Sequence, residues 1–406
     1  MSGLINLDHA KELMQQSGMD ALLVCSPENL YYSTGYSSML LDLYRQVPLG
    51  LFLLTGSDGH NSALILPESD VLSAQKVTGM DSVYGFPIWW EVYPFEKESS
   101  KIHRFLSRPP VQLPEQYDPA FIFSKAAELL SERMLENSKV GIEMDFISAN
   151  MYRLLKEVCP GMNFVDSTNL FYELRCIKNE IEINNLRKAC ELTESGLVAS
   201  KNAFCDGASI EDLTYAFKKG VLSAANELNL LNGLGSIGGQ SAFGVYGERE
   251  IVSLDAAKSI TVKYDMQVGY SHYYSDIGRT YFYGNPHPDQ TFVINGLLEV
   301  HQMFLEFLHP GIQICEIFHS TCKILKKTGL YRHSRGHFGH SIGLDPKIEE
   351  PPFISSKEKR LLKPGMVLSV ETPFYFDGLG KFQIEDMVLI TDTGIEIMNK
   401  LSKRPV

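Results

Sequence analysis

The sequence is poor in basic residues relative to acidic ones, with 37 Lys and Arg against 49 Asp and Glu and a net charge of −12 over 406 residues. Nucleic acids and anionic membrane surfaces attract proteins through clusters of Lys and Arg. A chain this acidic lacks the basic surface that either partner requires. We therefore expect neither nucleic acid nor a membrane among its main partners.

Long apolar runs are also missing. No stretch approaches the roughly 20 consecutive apolar residues of a membrane-spanning helix. The first residues, MSGLINLDHAKELMQQSGMDALLV, lack the basic start and apolar core of an export signal. These absences predict a cytoplasmic protein.

Cysteine is scarce and irregular, with seven residues that are odd in number and widely spaced. A disulfide framework would show an even number at regular spacing in a short secreted chain. We expect buried free thiols, with a redox pair as the alternative.

What the chain does contain is enough apolar residues for sizeable cores, with 44% hydrophobic and 21% charged residues. Its length exceeds one ordinary core and predicts two domains. In the first part, helical spacing at 8–17 and 123–135 alternates with apolar strand patterns at 21–25, 51–55 and 63–66, with a turn expected at 27–29. Helical patterns recur from Glu180, after Ser209, and at 292–307 and 316–327. Such alternation indicates an α/β (α+β) protein.

Five potential metal ligands lie in the last third of the chain. Their phrases are KYDMQVGYSHYYSDIGRT, RGHFGHSIGLD, LSVETPFY and FQIEDMVL, and the residues are Asp265, Asp276, His340, Glu371 and Glu385. Four carboxylates and one imidazole form a hard, oxygen-rich set suited to two divalent cations with a hydroxide between them. Converging carboxylates would repel one another unless cations neutralised them. The alternative is a set of unrelated acidic residues on solvated strand faces.

The order and spacing of these phrases resemble the pita-bread metallopeptidases. The matching features are Asp-x10-Asp, a His in Gly-His-x-Ile-Gly, then Glu-Thr-Pro and Ile-Glu-Asp. This family includes methionine aminopeptidase, aminopeptidase P, prolidase and the related creatinase, and the likeness is closest to the two-domain aminopeptidase P and prolidase. The resemblance implies a dinuclear-metal hydrolase that cleaves a small peptide or amide, with Mn²⁺ as the expected metal and Fe²⁺, Co²⁺ or Zn²⁺ as alternatives. It also implies a homodimer.

A role for each ligand follows from the same resemblance. Asp265 would chelate one ion, and Asp276 and Glu385 would bridge both. His340 and Glu371 would hold the second ion. Glu371 would also be the general base of the reaction.

The resemblance extends to the first half of the chain. The phrase from Asn29 to Gly35 is similar to one that follows the first strand of the creatinase-type N-terminal domain, and Arg175, Lys178 and Glu182 resemble the start of the catalytic domain. These matches imply a creatinase-like N-terminal α/β domain over 1–170 and a pita-bread metal-binding catalytic domain over 171–406.

Two accessory histidines of the family's peptidases have no counterpart at the expected places. The stretch before Asp265, GSIGGQSAFGVYGEREIVSLDAAK, contains no histidine, and Lys347 stands seven residues after His340. A lysine is a cation at neutral pH and cannot copy a neutral imidazole unless it is strongly desolvated. We predict that Lys347 contacts the substrate or its carboxylate.

Other side chains are candidates for the missing roles. His337 and Arg335 precede His340 closely enough to border the same cavity, and we predict a catalytic role for His337. His272 would face the site if the chain from there to Asp276 formed one strand. Arg279 is expected to secure the ligand carboxylates, while the glutamates that follow Lys347, Glu349 and Glu350, are expected to be solvated loop charges.

Three functions fit this sequence. The first is a metallohydrolase of small peptides or amides, with a proline-like ring as the default substrate. The second keeps the metals and acts on a small non-peptide substrate, as ectoine hydrolases and dimethylsulfoniopropionate lyases do. The third is a non-catalytic binding module, which the retained five ligands disfavour because converging carboxylates are costly.

Overall fold

The computed structural model describes residues 3–45, 48–55, 61–90, 112–248, 251–330 and 334–405. The chain divides into two compact units, Met1–Leu174 and Arg175–Val406. Helices and strands alternate in the first unit, and the second unit contains helices and sheets. The predicted α/β class is therefore confirmed. Among the described residues, no helix combines the length and apolar character that crossing a membrane would require.

A six-stranded mixed sheet forms the centre of the first unit. Its strands are β1 (Ala21–Val24), β2 (Leu51–Thr55), β3 (Ala63–Pro67), β4 (Val83–Phe86), β5 (Lys139–Ile142) and β6 (Asn163–Asp166), in the order β4-β3-β2-β1-β5-β6. β1 pairs antiparallel with β2 and parallel with β5. Every residue of β1, β2 and β3 is buried, as expected for strands covered on both faces.

Seven helices flank the strands in the described part of the first unit. They are α1 (Leu7–Ser17), α2 (Pro27–Thr34), α3 (Met39–Leu43), α4 (Val71–Thr78), α5 (Pro119–Glu132), α6 (Ala149–Val158) and α7 (Thr168–Cys176), the last of which crosses into the second unit. The turn predicted at 27–29 is wrong. Ser26 caps a helix there, with Pro27 at its first position, where proline's fixed φ favours helix and its missing N–H costs nothing.

The phrase from Asn29 to Gly35 has a structural role in the first unit. The Asn29 side-chain amide donates to Glu143, whose carboxylate also accepts from the backbone N–H groups of Cys25 and Ser26 at 2.7 and 2.9 Å. Gly35 ends α2 with a φ of +75°, a conformation that glycine adopts without a Cβ penalty. These contacts fasten the end of β1 to the end of β5.

Two sheets and a hairpin contain the strands of the second unit for which the structure describes residues. One sheet contains β7 (Leu234–Val245), β8 (Ile260–Tyr270) and β10 (Ile277–Tyr283), with the short β9 (Tyr273–Tyr274) paired to β8. The other has the order β12-β11-β13-β16-β17, with β11 (His337–Ser341), β12 (Glu350–Ser355), β13 (Val367–Glu371), β16 (Glu385–Ile390) and β17 (Ile395–Ile397). The strands β14 (Phe374–Phe376) and β15 (Gly380–Phe382) form the hairpin.

Four helices complete the described part of this unit, namely α8 (Glu180–Asn202), α9 (Ile210–Glu227), α10 (Pro288–Phe307) and α11 (Ile314–Lys327). The predicted cap of α9 is confirmed, because Ser209 and Asp212 form a reciprocal capping box. α10 and α11 share an apolar core with β11, β13 and β16 that includes the fully buried Leu297, Phe304 and Phe338. Burial of each such side chain contributes roughly 1.5–3 kcal/mol, which holds the second sheet against its helices.

All seven cysteines are free thiols, as expected. Four of them are buried, whereas Cys205 is exposed and Cys315 and Cys322 are half-buried.

Candidate metal centre

Four of the five predicted ligands lie on strands of the second unit, and the fifth lies between two strands. Their positions are Asp265 on β8, Asp276 between β9 and β10, His340 on β11, Glu371 at the end of β13 and Glu385 at the start of β16. Glu371 and Glu385 stand directly opposite each other in the antiparallel pair β13–β16, and His340 pairs with Ser369 on β13. The fold also brings residues more than 100 positions apart in the chain close together, as Asp276 and Glu385 show.

Three of these side chains form a compact group. One ligand atom from each of Asp276, His340 and Glu385 lies within 4.8 Å of the others, and all three residues are buried. His340 Nδ1 donates to the Ser341 carbonyl at 3.0 Å, since a carbonyl can only accept. The other ring nitrogen, Nε2, is then left with its lone pair, 3.7 Å from Asp276 Oδ2.

The remaining two ligands border this group and are each held by a cation. Asp265 Oδ2 accepts from Lys263 Nζ at 2.8 Å, and Glu371 Oε1 accepts from Arg335 Nη2 at 2.7 Å. The Gln383 side-chain amide donates to Glu371 at 3.2 Å and to Glu385 at 3.1 Å. Glu371 is therefore connected to the compact group through Gln383.

Crowding of carboxylates disturbs their ionisation. Burial, followed by the charges of Glu385 and Asp265, raises the pKa of Asp276 well above its usual value. Burial and the charges of Asp265 and Glu371 act in the same way on the pKa of Glu385. The pKa of Glu371 rises to about 7, chiefly through burial and against the opposing effect of Arg335. The protein thus holds acidic groups together in a form that disfavours their negative charge.

A bound cation explains this arrangement. Glutamates directly opposite each other in a sheet destabilise it, and buried carboxylates without a counter-charge are costly. Carboxylate oxygens and one imidazole nitrogen are donors that suit a divalent transition metal such as Mn²⁺. The residues therefore fit a divalent metal, with Asp276, His340 and Glu385 closest to the geometry of a finished site.

Gly278 makes room for the ligands from the neighbouring strand. It pairs with Asp265 across β10 and β8, and a Cβ on Gly278 would lie 2.2 Å from Gln383 Cγ and 2.8 Å from Glu385 Cβ. Both distances are shorter than atoms in contact allow, so a side chain here must displace Glu385 or Gln383.

We expect Gly278→Ala to weaken metal binding by about 10- to 100-fold, the range seen when groups that orient ligands are removed. Isothermal titration with Mn²⁺ measures this loss. Gly394→Ala is the matched control, because nothing lies within 4 Å of the Cβ it would add. Equal Mn²⁺ affinity in both variants would show that Gly278 is not a packing requirement of the site.

Behind Glu385, a buried ionic network surrounds its neighbour Asp386. Asp386 Oδ1 accepts from Arg279 Nη2 at 2.8 Å, and Oδ2 lies 2.9 Å from both His301 Nε2 and Lys403 Nζ. Burial alone would raise the pKa of Asp386, but Arg279 and His301 outweigh it and hold the pKa well below its usual value. Arg279 also donates to the Glu385 backbone carbonyl at 2.6 Å. Arg279 therefore secures the backbone of a ligand, whereas the prediction that it binds the ligand carboxylates is wrong.

The phrase at the start of the second unit supports the strand that carries His340. Lys178 Nζ donates to Ser341 Oγ at 3.0 Å, and Arg175 Nη2 lies 3.4 Å from Glu350 Oε1. Arg175 and Glu350 are both buried, so the expectation that Glu350 is a solvated loop charge is wrong. Its carboxylate instead lies beside a buried guanidinium, whose charge offsets part of the cost of burying the carboxylate.

The predicted catalytic side chains differ in their contacts and exposure. His337 lies close to Glu371, with Nδ1 at 3.5 Å from Glu371 Oε1. Lys347 is exposed in the loop before β12, and among the described residues no ion pair or side-chain hydrogen bond includes its ammonium. Glu349 points toward the site, since its Oε2 lies 3.9 Å from His337 Nε2.

His272 is the one candidate whose predicted placement on a strand fails. β8 ends at Tyr270, and Ser271 and His272 form a tight turn with φ values of +45° and +68°. The chain from His272 to Asp276 is therefore not one strand, because the turn is followed by the short β9 and then by an irregular stretch. The alternation of side chains along one strand therefore cannot place His272 and Asp276 on the same face.

Sequence reasoning missed two residues of the centre, Lys263 and Gln383. Lys263 lies two positions before Asp265 on one strand, so the two share a face of β8. That spacing was a usable signal. Gln383 shows the same spacing, two positions before Glu385, and its amide donates to Glu385, whereas its contact with Glu371 forms only through the fold.

Comparisons with known proteins agree with this geometry. The profile described as metallopeptidase family M24 matches residues 184–392, and that of the creatinase/prolidase N-terminal domain matches residues 6–177. A Xaa-Pro dipeptidase of Pyrococcus furiosus is 26% identical over 399 residues, which cover 98% of both chains.

Solved structures share the fold. The prolidase of Pyrococcus horikoshii superposes with a TM-score of 0.72 at 21% identity, covering 98% of this chain and 99% of that one. A Xaa-Pro dipeptidase of Bacillus anthracis superposes with a TM-score of 0.76 at 19% identity, covering 98% of each chain. The second unit has the pita-bread fold that the sequence predicted. The chain belongs to metallopeptidase family M24 and is a metal-dependent hydrolase.

Proposed function

We propose that this protein hydrolyses the C–N bond of a small peptide or amide, with a Xaa-Pro bond as the first substrate to test. The convergence of Asp276, His340 and Glu385 beside Glu371 carries the proposal, because it combines metal ligands with a carboxylate suited to proton transfer. The relative in Pyrococcus furiosus bears the name Xaa-Pro dipeptidase, which supports the choice of substrate.

Two divalent ions would be held by Asp265, Asp276, His340, Glu371 and Glu385, with Mn²⁺ as the proposed metal. When bound, such ions polarise a substrate carbonyl and make a water molecule nucleophilic near neutral pH. The chain would work in the cytoplasm as a homodimer, with residues 1–170 as the creatinase-like domain and 171–406 as the catalytic domain.

Glu371 is the proposed general base. In the metal-free protein, burial raises the pKa of Glu371 to about 7, so the surroundings of this carboxylate favour its protonated form. Arg335 and Gln383 each hold one of its carboxylate oxygens, so the side chain is fixed before substrate arrives. The attacking water gives its proton to Glu371 as its oxygen bonds to the carbonyl carbon.

His337 is placed to complete the proton transfer. Burial, reinforced by Arg335, lowers the pKa of His337, so the ring is neutral at pH 7 and can accept a proton. Its Nδ1 lies 3.5 Å from Glu371 Oε1, within reach of a proton on that oxygen. The proton then moves from His337 to the leaving nitrogen, the C–N bond breaks, and a carboxylic acid and an amine are released.

Lys347 is proposed to bind the substrate carboxylate from the exposed loop before β12. We expect Lys347→Met to raise KM about three- to tenfold with kcat little changed, because a solvent-exposed ion pair contributes about 1 kcal/mol. Steady-state kinetics on a carboxylate-bearing dipeptide and on its amide measure the effect. Lys357→Met, which removes another exposed lysine, is the control. Unaltered kcat and KM in Lys347→Met would end this assignment.

A panel of Xaa-Pro dipeptides and Xaa-Pro-Xaa tripeptides tests the reaction itself. Protein loaded with Mn²⁺ should release free amino acid from at least one member, and chelation should stop the release. No turnover by metal-loaded protein would favour the second function, a metal-dependent hydrolase or lyase of a small non-peptide substrate. The absence of the two accessory histidines from this sequence is the observation that favours that second function.

A further inference from the structure

Lys263 is a buried cation inside the metal centre. Its side chain is only 5% exposed, and its Nζ lies 2.8 Å from Asp265 Oδ2. The ammonium also lies 5.6 Å from the centre of the Tyr375 ring, a distance at which cation–π attraction acts. Tyr375 in turn donates to Gln383, the amide that joins Glu371 and Glu385. Two independent contacts therefore hold the ammonium in place.

The position of Lys263 on β8 fixes its direction. β8 is paired on both sides, with Lys263 opposite Thr280 of β10 and Ala242 of β7. Because side chains alternate along a strand, Lys263 and Asp265 project from the same face. A backbone held by two neighbours cannot turn this side chain away from the carboxylate.

The contact occupies an oxygen that a metal would use. Chelation of an ion by Asp265 needs both carboxylate oxygens, and Lys263 holds Oδ2. By contrast, the ion pairs of the described residues place no lysine or arginine on the carboxylates of Asp276 and Glu385. Glu371, the other ligand proposed beside His340, pairs with Arg335 through Oε1 but meets the neutral amide of Gln383 at Oε2. The two proposed metal positions therefore differ in whether a cation already holds an oxygen that the metal ion needs.

Charge balance points the same way. Four ligand carboxylates face two permanent cations, Lys263 and Arg335, each within 2.8 Å of a carboxylate oxygen. One divalent ion is enough to neutralise the remaining negative charge. A second divalent ion would bring the site to net positive charge and would lie close to the Lys263 ammonium, which like charges oppose.

We propose that Lys263 makes the two metal positions unequal: one divalent ion binds tightly at Asp276, His340 and Glu385, and the Lys263 ammonium competes with the second ion for Asp265. This inference rests on the metal centre proposed above. It makes Lys263 a determinant of how many ions the protein holds at a given metal concentration.

Equilibrium dialysis against Mn²⁺ with elemental analysis tests the proposal through stoichiometry, independent of activity. The wild-type protein should bind one Mn²⁺ per chain over at least about a tenfold range of free metal before a second ion enters. Lys263→Met keeps the length and apolar stem of the side chain and removes its charge. In this variant the second ion should bind at a free Mn²⁺ concentration that is at least about ten times lower than in the wild-type protein.

Two control variants make the result specific. Lys263→Arg keeps the charge and should keep the single-ion plateau. Lys258→Met removes a surface lysine that pairs with Glu248 at the same 2.8 Å, and it should leave both binding steps unchanged. Far-ultraviolet circular dichroism and thermal unfolding establish that each variant is folded before dialysis.

The outcomes separate this inference from the proposed metal centre. Two ions of equal affinity in the wild-type protein, or a second step that Lys263→Met does not move, would overturn the role of Lys263. Asp276→Ala should abolish the first binding step. If it binds Mn²⁺ as the wild type does, the metal centre itself is misplaced, and the role of Lys263 is overturned with it.

Discussion

Asp276→Ala is expected to abolish tight metal binding and to lower kcat/KM by at least about a thousandfold, equivalent to about 4 kcal/mol of transition-state stabilisation. Asp276 belongs to the compact group and is the proposed shared ligand of both ions. Its loss leaves His340 and Glu385 as an incomplete site. Mn²⁺ titration and metal-dependent hydrolysis of the active substrate measure the two effects.

The same variant should fold well without metal. Burial and neighbouring carboxylates disfavour the charge of Asp276, so removing it relieves repulsion in the metal-free protein. Mn²⁺ should raise the unfolding temperature of the wild type, since a ligand at 100 times its Kd stabilises by about 2.7 kcal/mol. It should not raise that of Asp276→Ala. Asp377→Ala, which removes an exposed aspartate, is the control and should respond to metal as the wild type does.

Asp386→Ala is expected to cost about 3–5 kcal/mol of unfolding free energy, because it leaves buried cations without their counter-charge. Arg279, His301 and Asp386 are all fully buried, and Asp386 contacts both of the others. Removing the carboxylate also frees Arg279, which holds the backbone of the ligand Glu385. Urea unfolding of the metal-free protein measures the loss directly.

Two comparisons test the cause of that loss. Asp392→Ala removes an exposed aspartate six positions further on and should change stability by no more than about 0.5 kcal/mol. Asp386→Asn keeps a hydrogen-bond acceptor and should cost less than Asp386→Ala. If all three variants unfold at the same urea concentration, the buried network does not stabilise this unit.

The strands beside the predicted ligands could be read from the sequence because most of these residues lie in short phrases whose strand pattern is local. Glu371 and Glu385 end and begin buried strands, and the apolar residues beside them show those strands without any tertiary information. The caps of helices are equally local, as Ser209 and Asp212 illustrate. Order along the chain was enough to propose the set of five ligands.

What the sequence could not show are contacts between residues far apart in the chain and turns with unusual backbone angles. Glu350 and Arg175 are 175 positions apart in the chain. Their ion pair is buried, although the sequence predicted that Glu350 is a surface charge. The turn at Ser271 and His272 requires positive φ values that non-glycine residues rarely adopt, so propensity alone predicts a continuous strand. At Pro27 the error was local, because proline starts a helix as readily as it marks a turn.

Lys263 shows a third kind of limit. Its spacing from Asp265 was visible, but a lysine beside an aspartate on a strand is usually a solvated pair. Only its burial, and the Tyr375 ring nearby, reveal that the cation lies inside the metal centre.

A crystal of the protein soaked in Mn²⁺ and measured at the manganese absorption edge tests the central claim most directly. An anomalous peak should lie within about 2.5 Å of Asp276, His340 Nε2 and Glu385, the distance of metal–ligand bonds. A peak elsewhere in the molecule, or none at these three side chains with the metal present in excess, would contradict it.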